Sequence, residues 1–405
     1  MSDNRSTQYG KILFVFCGGG CKAIHQAVAA AEVVNAGFTP SHIMSSSAGT
    51  CNALGFVEQP GPAGAEKTIR IWENYITSPE EIYEIHPFLR EKLTRLLGVV
   101  PTATQDWGPG GSILHDVRRA IKFLPLVLSF CIRMPLRVAG RTVSFLFRLM
   151  DTFEAQHQSF RRLVQAPEVL EAFEEVDKYF EFKRMKAFLD PFPLLARLGE
   201  QIDLQKVLTS STVWHIITER YEDGATVLFS NKDSDLAMDQ QTDARTQKLK
   251  YDLFYKRIRA SMALYPLFEL VEMDGYRYLD ADLANPLPVE EAFNLGCDTI
   301  FIFLNIPKRS VRVDPHPLRD LVELNDLLRL NERYIHHRLK EAQARARLAG
   351  VNLFVIRPEE IPAGLGLLEI DNKVIEFVKG HERKRMKDYL AELDAQNLRF
   401  APPLT

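Results

Sequence analysis

The feature that most constrains the fold is a short apolar run that ends on three consecutive glycines. Residues 11–17 (KILFVFC) have the length and the β-branched and aromatic content of a strand buried on both faces of a parallel sheet. Gly18–Gly20 follow at once, and residues 22–36 (KAIHQAVAAAEVVNA) favour a helix. Residues 41–46 predict a second strand, and residues 48–57 predict a second helix. Together these segments predict a β-α-β unit.

The two turns of this unit indicate where chemistry is expected. The handedness of parallel crossovers places Gly18–Gly20 and Ser45–Gly49 at the carboxyl ends of neighbouring strands, so both turns face one crevice. A glycine run lets backbone N–H groups converge on an anion. The serine turn (SSSAG) fits the G-x-S-x-G elbow with Ser47 at its centre, but Ser45 stands where the first glycine is expected. Three consecutive serines alone more often form a solvated loop, so evidence that Ser47 is a nucleophile has to come from the rest of the chain.

The remainder of the chain alternates strands with helices, which predicts an α/β three-layer sandwich with a mainly parallel central sheet. At 405 residues, we expect a single α/β domain over residues 1–405 with a helical insertion at 116–190. A hairpin is predicted around Asp223–Gly224. Further strands are predicted at 276–279, 298–305 and 352–358, and further helices at 258–264, 289–295, 321–348 and 371–393.

Residues 117–150 combine arginines and lysine with large apolar side chains and contain no Asp or Glu. Such a segment can lie in an anionic lipid interface, so one interpretation of the insertion is a lid or a peripheral membrane contact. The other interpretation is a core helix pair with a solvated arginine edge. Both stay open at this point.

Composition excludes some classes of protein. A net charge of −3 argues against a dedicated nucleic-acid binder. Five cysteines form no evenly spaced framework, which favours reduced thiols and a cytoplasmic location. The sequence has no signal-peptide pattern and no apolar run of about 18 residues, so we expect a soluble or peripheral protein. The acidic stretch 233–243 lacks the spacing of an EF-hand and is predicted to be a solvated loop without metal.

Four stretches, in the expected order, resemble the patatin-like phospholipase family. The resemblance covers about residues 10–58 and 191–380. Its motifs are similar to the family's G-G-G-x-[RK]-G loop, G-x-S-x-G elbow, A-S-x-A-x-P segment and D-G-[GA] segment with a trailing N-x-L-P. The corresponding stretches here are FCGGGCKAIHQA (16–27), SSSAG (45–49), RASMALYPLF (259–268) and DADLANPLP (280–288).

The resemblance implies a Ser/Asp dyad that hydrolyses acyl esters of phospholipids or lysophospholipids. Ser47 would attack the ester carbonyl, and Asp280 would accept the serine proton and return it to the leaving alcohol. This mechanism needs no metal and no cofactor. The oxyanion would be held by backbone amides of the glycine loop with a nearby positive charge, from Gly18, Gly19, Gly20, Cys21 and Lys22.

Three departures from the family pattern keep an alternative open. Ser45 replaces the first glycine of the elbow, Ala23 replaces the last glycine of the loop, and Asp282 stands where the family has Gly or Ala. A carboxylate so close to Asp280 could raise its pKa or point to solvent. The alternative is therefore a catalytically impaired relative that binds lipid or acts as a regulator.

Two further hypotheses carry less weight. A Ser-His-Asp triad would draw on His25, His42 or His215, but no histidine follows an Asp in the order of an α/β-hydrolase. His25 and His42 are better interpreted as packed or surface residues. A nucleotide-binding protein would need the G-x-x-x-x-G-K-[ST] spacing, which the glycine loop lacks.

Overall fold

The structure is a computed structural model. The predicted insertion at 116–190 falls almost wholly outside the described residues, so its interpretation as a lid, a membrane contact or a core helix pair stays a prediction. The structure describes residues 9–87, 91, 186–187, 189–238, 242–265, 267–283, 285–306, 325–362, 365, 370 and 372–396.

The described secondary structure consists of ten strands, ten α-helices and three short 3-10 helices. The strands are β1 (Ile12–Phe16), β2 (His42–Ser45), β3 (Glu84–Ile85), β4 (Leu189–Asp190), β5 (Val213–Arg220), β6 (Thr226–Ser230), β7 (Val271–Met273), β8 (Tyr276–Asp280), β9 (Thr299–Phe303) and β10 (Asn352–Ile356). The helices are α1 (Ile24–Asn35), α2 (Gly49–Glu58), α3 (Pro62–Asn74), α4 (Pro79–Ile82), α5 (Phe192–Gln201), α6 (Leu204–Thr209), α7 (Ala244–Ser261), α8 (Val289–Asn294), α9 (Asn325–Ala349) and α10 (Asn372–Gln396).

The chain divides into two compact units. The described part of the second unit contains the antiparallel pair of β3 and β4. All other strands and helices belong to the first unit, which carries the glycine loop and the serine turn. The first unit comprises Met1–Tyr83, Pro191–Val313 and Glu323–Thr405, and the second comprises Glu84–Asp190 and Asp314–Val322.

The first unit is built on one sheet with β1 near its middle. In the described part of the chain this sheet has eight strands in the order β10-β9-β1-β2-β5-β8-β7, with β6 also paired to β5. The strands from β10 to β5 pair in parallel, whereas β6 and β8 run antiparallel to β5, and β7 runs antiparallel to β8. Chain order reverses at β1, because β2 lies on one side of it and β9 on the other. Ligands bind at such a reversal in open α/β sheets.

The two faces of the sheet differ chemically, because successive strand residues point to opposite faces. Phe16 stacks on Phe303 of β9 and on Phe56 of α2, with ring centroids 5.1 and 5.8 Å apart. Leu13 and Val15 point to the other face and pack against α8 and α9. Helices therefore cover both faces, and the predicted three-layer α/β sandwich is confirmed.

Most predicted elements are present with ends shifted by a few residues, but two predictions need correction. The helix predicted at 258–264 is wrong in extent, since α7 begins at Ala244 and ends at Ser261. The stretch 233–243 is not simply a solvated loop. Asp235 Oδ2 accepts a hydrogen bond of 2.5 Å from buried Arg257, and Asp233 lies 3.3 Å from the same guanidinium. Among the described helices, none is long and apolar enough to cross a membrane.

Gly49 provides a test of how tightly α2 packs on β1. A Cβ built on Gly49 would lie 2.5 Å from the carbonyl oxygen of Phe16 and 2.8 Å from its Cβ, so backbone would have to move. We expect Gly49→Ala to lower the free energy of unfolding by about 1–3 kcal/mol, as overpacking does. The measurement is the urea midpoint of unfolding.

Gly380→Ala is the matched control for this prediction. Gly380 lies inside α10, and a Cβ there meets no atom within 4 Å. Helix propensity predicts a gain of up to about 1 kcal/mol. Equal destabilisation by the two substitutions would contradict the packing described for Gly49.

Candidate active site

The strand register places Ser47 and Asp280 at the same position along the strand direction. Ser45 of β2 lies opposite Ile216 of β5, and two residues farther along β5, Thr218 lies opposite Asp280. Ser47 is likewise two residues beyond Ser45. The serine turn and the end of β8 therefore meet at the same edge of the sheet, although 232 residues separate them in the chain.

The backbone at the C-terminal end of α7, Ser261–Ala263, holds both residues. The Ser47 N–H donates to the carbonyl oxygen of Ser261 at 2.9 Å, and Ser261 Oγ lies 3.2 Å from the same nitrogen. The Asp280 N–H donates to the carbonyl oxygen of Ala263 at 3.1 Å. The RASMALYPLF stretch thus contributes the segment that fixes the two candidate catalytic residues. Helix α7 ends at Ser261, so the carbonyl groups of Ser261 and Ala263 are not used inside the helix and can accept these bonds.

Ser47 has the strained conformation expected of an elbow. Its φ of 50° lies in the left-handed region, which is uncommon for a residue with a side chain. Ser47 is half-buried, whereas its neighbour Ser46 is buried. Ser47 is therefore the more accessible of the two serines.

Asp280 is buried, with 1% of its surface exposed, and the Ser47 side chain lies close enough to its carboxyl group to stabilise the ionised form. Burial raises the pKa of Asp280 well above its usual range, and the charge of Asp282 raises it further. The Ser47 side chain and the Asp282 N–H, which donates to Asp280 Oδ1 at 3.0 Å, both oppose this effect on the pKa. A carboxylate of raised pKa beside a serine side chain is placed to act as a general base.

The glycine loop passes directly beside Ser47. A Cβ on Gly18 would lie 2.6 Å from the Ser47 Cβ, and a Cβ on Gly19 would lie 2.7 Å from the Cβ of Asn305. Gly19 and Gly20 have φ values of 142° and 61°, which glycine adopts freely. Asn305 Nδ2 donates to the Gly18 carbonyl oxygen at 2.9 Å. The loop continues into a 3-10 turn, Gly20–Ala23, which contains buried Cys21 and half-buried Lys22.

A buried polar network anchors both ends of the loop. Gln26 Nε2 donates to the carbonyl oxygen of Cys17 at 2.6 Å. Asn52 Nδ2 donates to the carbonyl oxygen of Ala23 at 2.9 Å and to Gln26 Oε1 at 3.2 Å. Trp72 Nε1 donates to Asn52 Oδ1 at 2.7 Å, which leaves this amide fully engaged. The loop is therefore held by α1, α2 and α3 as well as by the sheet.

Two of the three departures fit the structure without strain. Ser45 is fully buried, and its Oγ accepts a hydrogen bond of 2.8 Å from Trp214 Nε1 and lies 3.3 Å from Thr50 Oγ1. Thr50 in turn lies 3.2 Å from Ser261 Oγ, so the extra hydroxyl joins the group that holds the elbow. The side chain of Ala23 is buried in the core.

The third departure, Asp282, does not point to solvent. Ser46 Oγ donates to its Oδ1 at 2.5 Å, and Oδ2 lies against Gly18, where a built Cβ would overlap it. Burial raises the pKa of Asp282 to about 6. Of the two expectations for this carboxyl group, the structure supports the effect on Asp280.

The histidines named for a triad make other contacts. His25 is buried, with Nδ1 3.6 Å from Glu382 of α10. His42 lies at the start of β2, where its Nδ1 is 3.2 Å from Ser41 Oγ and its ring stacks on His215. The start of a parallel strand lies at the opposite edge of the sheet from Ser47, so these contacts do not support a triad.

Several positioning residues escaped the sequence analysis. Asn305 closes the strand predicted at 298–305, and its polar side chain after an apolar run was an available signal. Gln26 and Asn52 are polar residues inside otherwise apolar helices, which is also a detectable pattern. The role of the Ser261–Ala263 segment had no local signal, because its two partners lie far away in the chain.

The Ser45–Trp214 hydrogen bond makes a prediction about stability. Ser45→Ala leaves the buried Trp214 N–H without its partner, so we expect a loss of about 1–3 kcal/mol in the free energy of unfolding. Trp214→Phe removes the donor instead. In a double-mutant cycle read by urea unfolding, the double variant should lose less than the sum of the single variants. Strict additivity would show that the bond does not contribute.

Comparison with known proteins gives one family. The sequence model of the patatin-like phospholipase family matches residues 14–293, a range that contains the glycine loop, Ser47 and Asp280. A crystal structure of VipD from Legionella pneumophila is similar over 94% of this chain and 67% of that chain, with 10% identity and a TM-score of 0.32. No curated protein matches the sequence.

Proposed function

The chain belongs to the patatin-like phospholipase family, and from that premise we propose that it is a serine hydrolase that releases fatty acids from phospholipids or lysophospholipids. The observation that carries the proposal is the position of the half-buried Ser47 side chain beside the buried carboxyl group of Asp280 and next to a glycine loop. Membership of the family supports a lipid acyl hydrolase in general. The Ser/Asp mechanism and the glycerophospholipid substrates are our proposal.

The proposed reaction begins when an ester carbonyl enters between Ser47 and the loop. Ser47 Oγ bonds to the carbonyl carbon, its proton passes to Asp280, and the carbonyl electron pair moves onto oxygen. Backbone amides of Gly19, Gly20 and Cys21 stabilise this oxyanion, and Lys22 contributes positive charge. When the intermediate collapses, the alcohol leaves with the proton from Asp280. Water then attacks the acyl-enzyme in the same way and releases the fatty acid.

The environment of Asp280 suits a base that acts without histidine. An exposed carboxylate is too weak a base to deprotonate serine efficiently. The buried Asp280 has a raised pKa, and its backbone is fixed by Ala263, so it holds the proton more strongly and in a defined place. The fixed backbone of Ser47 on the same segment supports direct proton transfer between the two side chains.

We further propose that the chain is a single patatin-like domain with residues 116–190 as an insertion. Within this insertion, residues 117–150 would contact the membrane that presents the substrate. A cytoplasmic protein bound peripherally to a membrane fits this arrangement. The basic and apolar composition of 117–150 supports it.

A second candidate function is a lipid-binding or regulatory protein with little turnover. The observation in its favour is Asp282, whose carboxyl group accepts a hydrogen bond from Ser46 Oγ and lies against Gly18 beside the elbow. A fluorophosphonate probe separates the candidates, because it bonds only to an activated serine. Stoichiometric labelling of Ser47, located by peptide mass spectrometry, supports the hydrolase, and complete absence of labelling supports the binding protein.

The dyad predicts the effect of two substitutions on fatty-acid release from phospholipid vesicles. We expect Ser47→Ala and Asp280→Asn each to lower turnover by at least about a thousandfold, because the nucleophile and its base act as a unit. Release is measured by lipid mass spectrometry, and circular dichroism verifies that each variant is folded.

Ser41→Ala is the matched control for these variants. Ser41 lies at the opposite end of β2, where its Oγ donates to the carbonyl oxygen of Ile12. This variant should keep nearly the activity of the unmodified protein. Fatty-acid release that survives in Ser47→Ala would contradict the proposed nucleophile.

The proposed chemistry also predicts the response to chelation. Each step uses only Ser47, Asp280, backbone amides and water, so EDTA should leave turnover of a soluble ester unchanged. The rate is followed before and after dialysis against the chelator. A loss of activity that Ca²⁺ or Zn²⁺ restores would require different chemistry.

A further inference from the structure

Asn305 is a buried amide that follows β9 and faces the glycine loop. Only 3% of its surface is exposed. Its Nδ2 donates to the carbonyl oxygen of Gly18 at 2.9 Å and to that of Cys17 at 3.4 Å. Its Oδ1 has no hydrogen-bond partner among the described residues. A buried acceptor without a partner costs free energy, so the donors of this amide, rather than a gain in stability, indicate what the side chain does.

The hydrogen bonds of β1 define two sides of the chain where it enters the loop. β1 lies between β9 and β2, and successive residues of a strand direct their backbone groups to opposite sides. The Cys17 N–H donates to the carbonyl oxygen of Phe303 at 3.3 Å, on the side of β9. If the chain continued as a regular strand, the N–H and the carbonyl group of Gly18 would both point to the side of β2.

The hydrogen bond from Asn305 reverses the direction of the Gly18 carbonyl group. Asn305 comes two residues after Phe303, the last residue of β9, so the Gly18 oxygen points to the side of β9 instead. Because a peptide unit is planar and trans, its N–H points opposite to its carbonyl group. The Gly19 N–H therefore points to the side of β2. Gly19 has a φ of 142°, which glycine adopts freely, so the chain accepts this reversal.

Ser47 lies on the side of the loop to which the Gly19 N–H points. It follows the last residue of β2 by two positions, and a Cβ built on Gly18 would lie 2.6 Å from the Ser47 Cβ. An ester carbonyl bonded to Ser47 develops its negative charge beside this peptide. In the observed orientation the charge meets an N–H donor, which stabilises it. In the reversed orientation it would meet the Gly18 oxygen, which repels it.

We propose that Asn305 is a positioning residue of the oxyanion loop: its Nδ2 holds the Gly18–Gly19 peptide so that the Gly19 N–H is directed at the oxyanion on Ser47. The proposal rests on the hydrolase function proposed above. Asn305 acts only through the backbone and exchanges no proton with the substrate, so the steps between Ser47 and Asp280 are unchanged.

The direct test is the affinity of Asn305→Leu for two ligands. Leucine keeps the branched shape of asparagine but has no donor. A long-chain alkyl trifluoromethyl ketone bonds to Ser47 and forms an oxyanion, whereas a short-chain diether phosphatidylcholine binds without forming one. We expect Asn305→Leu to weaken inhibition by the ketone about 100-fold, the effect of losing one oxyanion donor. The dissociation constant of the diether lipid should stay within about threefold, because its binding involves no oxyanion.

The kinetics of a soluble p-nitrophenyl ester give a second readout. A donor that acts only on the oxyanion contributes to kcat and not to KM, so Asn305→Leu should lower kcat about 100-fold with KM nearly unchanged. Equal weakening of the ketone and the diether lipid, or a rise in KM with kcat unchanged, would show a general disturbance of the cleft and would overturn the positioning role.

Asn231→Leu is the matched control. Asn231 is also 3% exposed, and its Nδ2 donates to the carbonyl oxygens of Val207 at 2.9 Å and Thr212 at 3.2 Å. Its Oδ1 accepts from the Trp214 N–H near the start of β5, at the edge of the sheet opposite to the loop. This variant should lower the urea midpoint of unfolding and keep the relative affinities for the ketone and the diether lipid. A loss confined to the ketone in this variant as well would contradict the assignment to Asn305.

Two further variants separate donation from packing. Asn305→Asp keeps the shape of the side chain, and at about pH 5 burial holds the introduced carboxyl group neutral, so that its O–H can donate to the Gly18 oxygen. Its affinity for the ketone should then be within about tenfold of that of the unmodified protein, because the donor is restored. Asn305→Ser replaces Asn305→Leu if the leucine variant does not fold, since its hydroxyl is one bond too short to reach Gly18. Equal affinity of the aspartate variant and the donor-deficient variant at this pH would overturn the proposal.

Failure of the positioning role and failure of the hydrolase function give different results. If the unmodified protein forms no ketone adduct at Ser47 and hydrolyses no ester, the hydrolase function fails and the role of Asn305 fails with it. If the unmodified protein is active and Asn305→Leu keeps both its kcat and its ketone affinity, the hydrolase function stands and the positioning role is overturned.

Discussion

The site depends on two backbone hydrogen bonds to one short segment. Ser261 accepts from the Ser47 N–H, and Ala263 accepts from the Asp280 N–H. The segment begins at the last residue of α7, a helix that packs on β5 and β8. Because the elbow and the end of β8 are tied to the same three residues, neither can move without the other. A strained φ at Ser47 persists only where the surrounding structure determines it in this way.

The sequence predicts the parts of this arrangement that local patterns specify. The apolar run before Gly18, the elbow around Ser47 and the acidic turn at Asp280 are each visible within about ten residues. Long-range register is not visible in this way. The pairing of Asp280 with Thr218, which sets its level relative to Ser47, follows only from the assembled sheet. The C-terminal end of α7 was predicted too late for the same reason, because Ser261 and Ala263 bind the backbone of Ser47 and Asp280 instead of continuing the helix.

The departures from the family pattern also show that the role of one residue can depend on partners far away in the chain. Ser45 looked like a fault in the elbow, yet Trp214, more than 150 residues away, supplies the partner for its hydroxyl. Asp282 looked like a candidate for solvent exposure, and the 3-10 turn directs it onto the loop instead. Side-chain direction in such a turn depends on the residues that face it, here Ser46 and Gly18, which no local pattern near Asp282 reveals.

The most direct test of the account is a crystal structure of the protein after reaction with a fluorophosphonate. The account predicts a phosphonyl group on Ser47 Oγ, with its oxygen facing the amides of Gly19, Gly20 and Cys21 and with Asp280 in contact with Ser47 Oγ. A phosphonyl group on another residue, or an adduct on Ser47 whose oxygen points away from the glycine loop, would contradict it.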